Sequence, residues 1–383
     1  MAMYRRSWSD IPSELAGLVL LRLPAHSDRI RFTAVCRHWC ASAKQHSLPP
    51  PLPWLVLPGG TFFCLPLSES FQIPNGAEFH SSCAEWFVFS HDEACSLVIN
   101  FTKVTLELPD LNIFDLIDEP HEVINGQNIC YTLLDHVIMS IHKVILCSVL
   151  LVAAIVDIGD LRTLALCRPG GNEWFVSALG YDRSIDIIFH EGKLYVVDGW
   201  RNLYILDVEE ESDSGSLFIS RIERIIKGPP WSFREYPGGL VIFDTYLVED
   251  RGALLLIRGT IYGWPPVDNH SGFEIRAARF EFEVCEADFQ SLQWVEKTSV
   301  GDDQVLFLGP RCSKSICASQ YNLKGNCIFF LDNDNCGWYW KHAPSAPSSY
   351  AIYDMNDGSV RSPLPRGSCK GEEAPATWHF PLG

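Results

Sequence analysis

Residues 8–43 read WSDIPSELAGLVLLRLPAHSDRIRFTAVCRHWCASA. The stretch opens with a helix-start signal. Ser9 or Asp10 is placed to cap the first backbone N–H groups, and Pro12 falls in the first turn, where its missing N–H is not needed. Leu15, Leu18, Val19 and Leu23 then recur at helical spacing, which predicts one buried stripe. Pro24 ends that helix. Asp28 restarts a short one through Ile30 and Ala34, and Val35, Trp39 and Ala43 put an i, i+4, i+8 stripe on the next. Three helices in about forty residues bury their own apolar faces poorly. Such a piece is expected to complete its core against another chain.

These residues resemble the F-box. The family has Leu-Pro, an acidic residue two further on, a Leu-rich helix and then Val-Cys-Arg-x-Trp. The matching positions here are Ile11-Pro12, Glu14, Leu15 to Leu23, and Val35-Cys36-Arg37-His38-Trp39. The resemblance implies docking onto the small adaptor subunit of an SCF-type, cullin-based ubiquitin ligase. On that reading Ile11, Pro12 and Leu15 begin the docking surface, and Leu18, Val19 and Leu23 continue it. Val35, Cys36 and Trp39 would fill the partner's pocket, while Arg29, Arg31 and Arg37 steer toward an acidic partner. The plain alternative is an ordinary helical cap on the next domain.

Charge divides the chain at the same place. Residues 1–47 hold seven basic side chains (Arg5, Arg6, Arg22, Arg29, Arg31, Arg37, Lys44) against three acids (Asp10, Glu14, Asp28), a charge of +4. The whole chain carries −17, so the remainder carries −21. With 383 residues and 47% hydrophobic content, a small module joined to a large folded body fits the length. An acidic body argues against nucleic acid or an anionic membrane as partner, since both attract Lys and Arg.

The fourteen cysteines are scattered, with no C-x-x-C, and the opening MAMYRRSW lacks a signal-like apolar core. They are expected to be reduced thiols in a protein of the cytoplasm and/or nucleus. Cys36, His38 and Cys40 are close in sequence, as are Cys312 and Cys317, but neither group forms a paired metal-ligand pattern. Residues 137–156, VIMSIHKVILCSVLLVAAIV, have the length of a membrane span. His142 and Lys143 lie inside the segment, and its Val and Ile content favours two buried strands with a tight connection.

Ser47-Leu48-Pro49-Pro50-Pro51-Leu52-Pro53 reads as an extended, semi-rigid linker, assigned to 48–53. Short β-rich runs separated by Gly, Pro, Asn and Asp fill the rest, among them Trp86–Phe89, Lys193–Val197, Leu203–Val208, Ala253–Ile261 and Cys327–Leu331. So many short strands indicate a sandwich, barrel or propeller, and the size favours a propeller. Two Gly–strand–Asp segments, starting at Gly192 and Gly325, are 133 residues apart, about three units of ~40–50 residues.

Residues 54–383 also resemble the C-terminal kelch-like β-propeller of a large plant F-box family. The matching blocks are Cys95–Leu111, Leu164–Trp174, Asp186–Val208, Tyr246–Arg258, Trp294–Gly309 and Ala351–Val360, with Trp378-His379-Phe380-Pro381 at the close. The family's early Asn-Pro is Asn100-Phe101 here. The resemblance implies five to seven blades, six being the best fit. It also implies a ring closed by pairing the strand after the linker with C-terminal strands. The fold expected is thus a small three-helix module (1–47) followed by an all-β propeller (54–383).

Signatures of catalysis are missing. There is no G-x-S-x-G, no phosphate loop ending in Gly-Lys-Ser/Thr and no His-Glu-x-x-His, so no cofactor and no metal are expected. His91-Asp92-Glu93 and Asp332-Asn333-Asp334-Asn335 read as solvated turns, and Glu209-Glu210-Glu211 with Asp213 as a solvated loop. Most of the twelve tryptophans are expected to pack between blades. Trp200 and Trp231, beside turn residues, are the candidates for a client-binding face. The sequence therefore points to a non-catalytic client receptor of a ubiquitin ligase. The alternatives are a ligase-independent protein-binding scaffold and a propeller with an enzymatic or carbohydrate site in its central channel.

Overall fold

A 3-10 turn at Trp8–Asp10 leads into α1 (Ser13–Leu20), α2 (His26–Val35) and α3 (Arg37–Lys44) in the computed structural model. The structure describes residues 8–23, 26–46, 48, 51–57, 60–65, 70–72, 79–91, 94–99, 104–117, 139–158, 161–177, 184–210, 217–229, 240–264, 276–331, 350–361 and 376–381. The N-cap of α1 is Pro12 rather than Ser9 or Asp10, and no side chain caps it. Its carbonyl accepts the first helical bond, from the Ala16 N–H at 3.0 Å. Val35 closes α2 and does not join the stripe on α3.

Six sheets of four or five strands follow, each a propeller blade. Listed from the axis outward, blade 1 contains Thr377–His379, Trp54–Val56, Thr61–Cys64 and Ser70–Gln72. Blade 2 contains Phe79–Cys83, Trp86–His91, Ala94–Ile99 and Val104–Leu108. In blade 3, Ser140–Ser148, Leu151–Ile158, Leu161–Cys167 and Trp174–Ser177 gain a parallel outer strand, Phe114–Ile117. Blade 4 runs through Ser184–His190, Lys193–Asp198, Leu203–Glu210 and Leu217–Ile226, and blade 5 through Leu240–Asp250, Ala253–Trp264, Arg276–Asp288 and Gln293–Lys297.

Blade 6 departs from this order. Gln304–Leu308 comes first in the chain, but Lys314–Cys317 folds back to become the axial strand. Cys327–Leu331 then pairs in parallel with Gln304–Leu308, and Tyr350–Asp354 and Val360–Arg361 complete the blade. The ring closes in blade 1, where Trp54 pairs with His379 and Val56 with Thr377. This pairing gives blade 1 its axial strand and joins the N- and C-terminal parts of the described propeller.

Between each pair of neighbouring blades lies an apolar cluster. Successive side chains of a strand point to opposite faces. Val152, Ala154 and Val156 therefore meet blade 2, while Ala153 and Ile155 meet blade 4. A strand buried on both faces reads as a continuous apolar run, which is why residues 137–156 have the look of a span. Two strands of blade 3 joined by a turn at Val149-Leu150 occupy the described part of that segment. No described helix is long and apolar enough to cross a membrane.

Two sequence expectations change. Pro51, Leu52 and Pro53 are buried, with Leu52 in the cluster between blades 1 and 6, so this end of the linker is part of the propeller core. The segments after Gly192 and Gly325 lie in blades 4 and 6, two blades apart, and at different depths from the axis. They are β-hairpin likenesses, not equivalent repeat positions. Asn100-Phe101, Asp92-Glu93 and Asp332–Asn335 lie outside the described residues.

Candidate functional site

The helical module has a small core of its own. Ala16, Leu20 and Phe32 are fully buried, and Ile11, Leu23, Trp39, Ala43 and Leu48 pack around them. The Trp39 ring lies 4.5 Å from that of Phe32, and its indole N–H donates to the Trp8 carbonyl at 3.1 Å. Cys36 is the N-cap of α3, its Sγ accepting the Trp39 backbone N–H at 3.4 Å. Ile11, Leu23 and Trp39 thus contribute to the module's interior, each remaining partly exposed. The indole N–H of Trp39 has its acceptor within the module, on the exposed 3-10 turn at Trp8–Asp10.

The predicted single stripe on α1 is also corrected. Its buried face is Ala16, Gly17 and Leu20. Leu15, Leu18 and Val19 point the other way and are between 41% and 56% exposed. A helix that is apolar on both sides is ordinarily buried on both. Leu21, Ile30 and Val35 are comparably exposed, and Trp8 more so. Fully burying one Leu or Val is worth ~1.5–3 kcal/mol, so each bare side chain leaves roughly half of that unrealised. Pro12 and Arg37 are exposed too.

Leu21 and Ile30 are not among the docking residues that the sequence points to. Leu21 follows the end of the helix, and Ile30 marks a helix but sits between Arg29 and Arg31, so neither reads as part of an apolar face. Of the three arginines, Arg29 is unsuited to steering. It is buried, and its Nε–H donates to the Leu23 carbonyl at 2.9 Å. Arg31 pairs with Asp28 at 3.5 Å on the surface.

On the propeller, Trp200 is half exposed at the tip of a tightly held turn. The buried Asp198 carboxylate accepts the backbone N–H groups of Trp200 and Asn202, at 2.9 and 2.8 Å, and the Tyr204 hydroxyl at 3.1 Å. Trp174 is fully buried and donates to the Pro109 carbonyl at 2.9 Å, whereas Trp294 is part-buried and donates to Arg201. Trp231 lies outside the described residues.

The axis holds a cavity of about 220 Å³ lined by Cys83, Trp86, Lys143, Arg311 and Cys312, among others. Burial pushes the Cys83 thiol up to about 12, so it is a poor nucleophile at neutral pH. Lys143 is held by the buried carboxylate of Asp186. Among the described residues, no group of three or more His, Cys, Asp or Glu side chains is placed to hold a metal ion.

Comparison with known proteins agrees with this division. The F-box domain model matches residues 8–50, and the KIB1-4 beta-propeller model matches residues 58–354. An F-box protein of Arabidopsis thaliana, At2g17690, is 47% identical over 49 residues, a match spanning 12% of each chain. The term kelch-like describes the propeller only loosely. An F-box joined to a propeller fits, in general, a substrate-recognition adaptor of SCF ligases, and domains of both kinds are typical of non-catalytic proteins. With three F-box helices leading into six blades, the chain belongs to the KIB1-4 beta-propeller family and carries an F-box ahead of the propeller.

Proposed function

We propose that this protein is the client-recognition subunit of a cullin-based ubiquitin ligase in the cytoplasm and/or nucleus. The F-box is held by the ligase's small adaptor subunit, and the propeller holds a client protein. No bond chemistry occurs on this chain. Tethering raises the client's effective concentration beside the charged conjugating enzyme, and transfer gains rate from that proximity.

The observation that supports this reading is the second apolar face of α1. Leu15, Leu18 and Val19 are left bare by a helix whose other side is fully packed. Val35 and Pro12 are exposed as well. On the propeller, Trp200 is the described candidate for client contact, as an aromatic side chain presented by a turn whose backbone is held from several sides. Titration of the full-length protein with purified adaptor, comparing wild type with Leu18→Asp, tests the reading. Loss of binding in the variant is the expected result. Equal binding by the two proteins would remove this face from the interface.

A further inference from the structure

Apolar burial alone does not decide which side of α1 faces the module. Ala16, Gly17 and Leu20 lie inward with Ser13, and Leu15, Leu18 and Val19 lie outward. The inward side carries the smaller side chains. A half-turn about the helix axis would bury three large apolar residues in place of Ala16, Gly17 and Leu20. Something other than apolar area therefore selects the observed rotation.

One line of α3 and the turn after it supplies polar and steric contacts to this side of α1 and to the residue that leads into it. His38, Ser42 and His46 are four residues apart, so they share one side of the helix. His38 Nε2 is 2.7 Å from the Ile11 carbonyl, just ahead of α1. The Ser42 hydroxyl, fully buried, donates to the His38 carbonyl at 2.9 Å and sits 3.2 Å from the Ser13 hydroxyl. The His46 ring occupies the space over Gly17, where a Cβ would come within 1.5 Å of Nε2. Leu15 or Leu18 turned inward would meet the Ser42 hydroxyl and the His46 ring.

We propose that His38, Ser42 and His46 form a ladder that sets the rotation of α1 and so keeps Leu15, Leu18 and Val19 facing outward. They act as positioning residues for the adaptor contact, and in that respect the inference rests on the reading given under Proposed function. The device gives up apolar burial to fix one orientation, as a buried polar residue does when it fixes the register of a coiled coil.

Carbene footprinting of the full-length protein, read by mass spectrometry over residues 13–20, tests the ladder. In the wild type, Leu15, Leu18 and Val19 label strongly and Leu20 weakly. In the His38→Ala/Ser42→Val double variant, labelling of those three falls several-fold and that of Leu20 rises. Helix content by circular dichroism holds, and adaptor affinity falls by about tenfold or more. Ser42→Thr, which keeps the hydroxyl, retains the wild-type footprint. An unchanged footprint in the double variant overturns the ladder, whatever happens to adaptor affinity. Uniform labelling of both sides also overturns it, since the contacts would then serve folding and not rotation. A shifted footprint in a protein that never bound the adaptor supports the ladder and counts against the adaptor reading instead.

Discussion

Lys143 and Asp186 form an ion pair near the propeller axis, with side chains only 6% and 4% exposed. Lys143 lies on the axial strand of blade 3 and Asp186 on that of blade 4. The Asp186 carboxylate also accepts the backbone N–H of Ile187 and, from blade 5, that of Leu247, each at 2.8 Å. One carboxylate thus ties three consecutive blades together. Removing it would take the partner from a buried ammonium and an acceptor from two buried N–H groups. Asp186→Ala is expected to cost ~3–5 kcal/mol of unfolding free energy in urea titration. Lys143→Met combined with Asp186→Asn, which keeps an acceptor and removes both charges, should cost less. A loss below ~1 kcal/mol in Asp186→Ala would show that the pair does not hold the blades.

Ring closure rests on Trp378. It is fully buried in the axial strand of blade 1, and its indole N–H donates to the Leu308 carbonyl of blade 6 at 2.9 Å. Its own carbonyl accepts the Ser82 hydroxyl of blade 2 at 2.5 Å. Trp378→Ala should cost ~3–5 kcal/mol through the cavity it leaves. It should also loosen the three-residue strand that shuts the ring, exposing edges that pair between chains. Thermal unfolding and size-exclusion chromatography read the two effects. A stable, monomeric Trp378→Ala protein would place the closure elsewhere.

His142, next to Lys143 in blade 3, carries a pH dependence. Burial is the main cause that pushes its pKa down to about 3, with Arg162, Arg311 and Lys143 adding to it. The unfolded chain takes up the proton near pH 6.5, well before the folded one does. Stability is therefore full above about pH 6.5 and is lost as pH falls toward 3, at up to ~1.4 kcal/mol per pH unit. Asp303 and Asp354 also have lowered pKa values, so their contribution is lost only in stronger acid, below their ordinary carboxylate range. Urea midpoints for wild type and His142→Gln between pH 7 and 4.5 should diverge, with the variant less sensitive to acid. Parallel curves would exclude His142 as the source.

The limits of legibility follow from the same packing. The F-box was readable because Pro12, Val35-Cys36-Arg37 and Trp39 are fixed by spacing. The blades were readable because strands buried on both faces, such as Leu151–Ile158, Lys193–Asp198 and Cys327–Leu331, are near-continuous apolar runs. Outer strands such as Gln293–Lys297, with four of five residues exposed, carry no such pattern and were missed. The fold-back of Lys314–Cys317 to the axis was invisible because strand order leaves no local trace. The inward face of α1 was misread because apolar residues lie on both sides. With no polar face to break the tie, periodicity reports a helix without its rotation.

Trp39 and Leu18 separate the two jobs of the helical module. Trp39 is part-buried against Phe32 and bonded to the Trp8 carbonyl, so Trp39→Ala removes interior packing. It should weaken the module by ~2–4 kcal/mol and reduce adaptor binding only through partial unfolding. Leu18 is 56% exposed and supports nothing inside, so Leu18→Asp should leave the unfolding curve within ~0.5 kcal/mol of wild type. Its loss of adaptor affinity should exceed ~2 kcal/mol, or about thirtyfold. Raising adaptor concentration should then rescue Trp39→Ala, because a partner that binds only the folded module pulls the equilibrium back, and should fail to rescue Leu18→Asp. The reverse pattern, with Trp39→Ala stable but blind to the adaptor, would mean that the indole leaves its internal site to enter the partner.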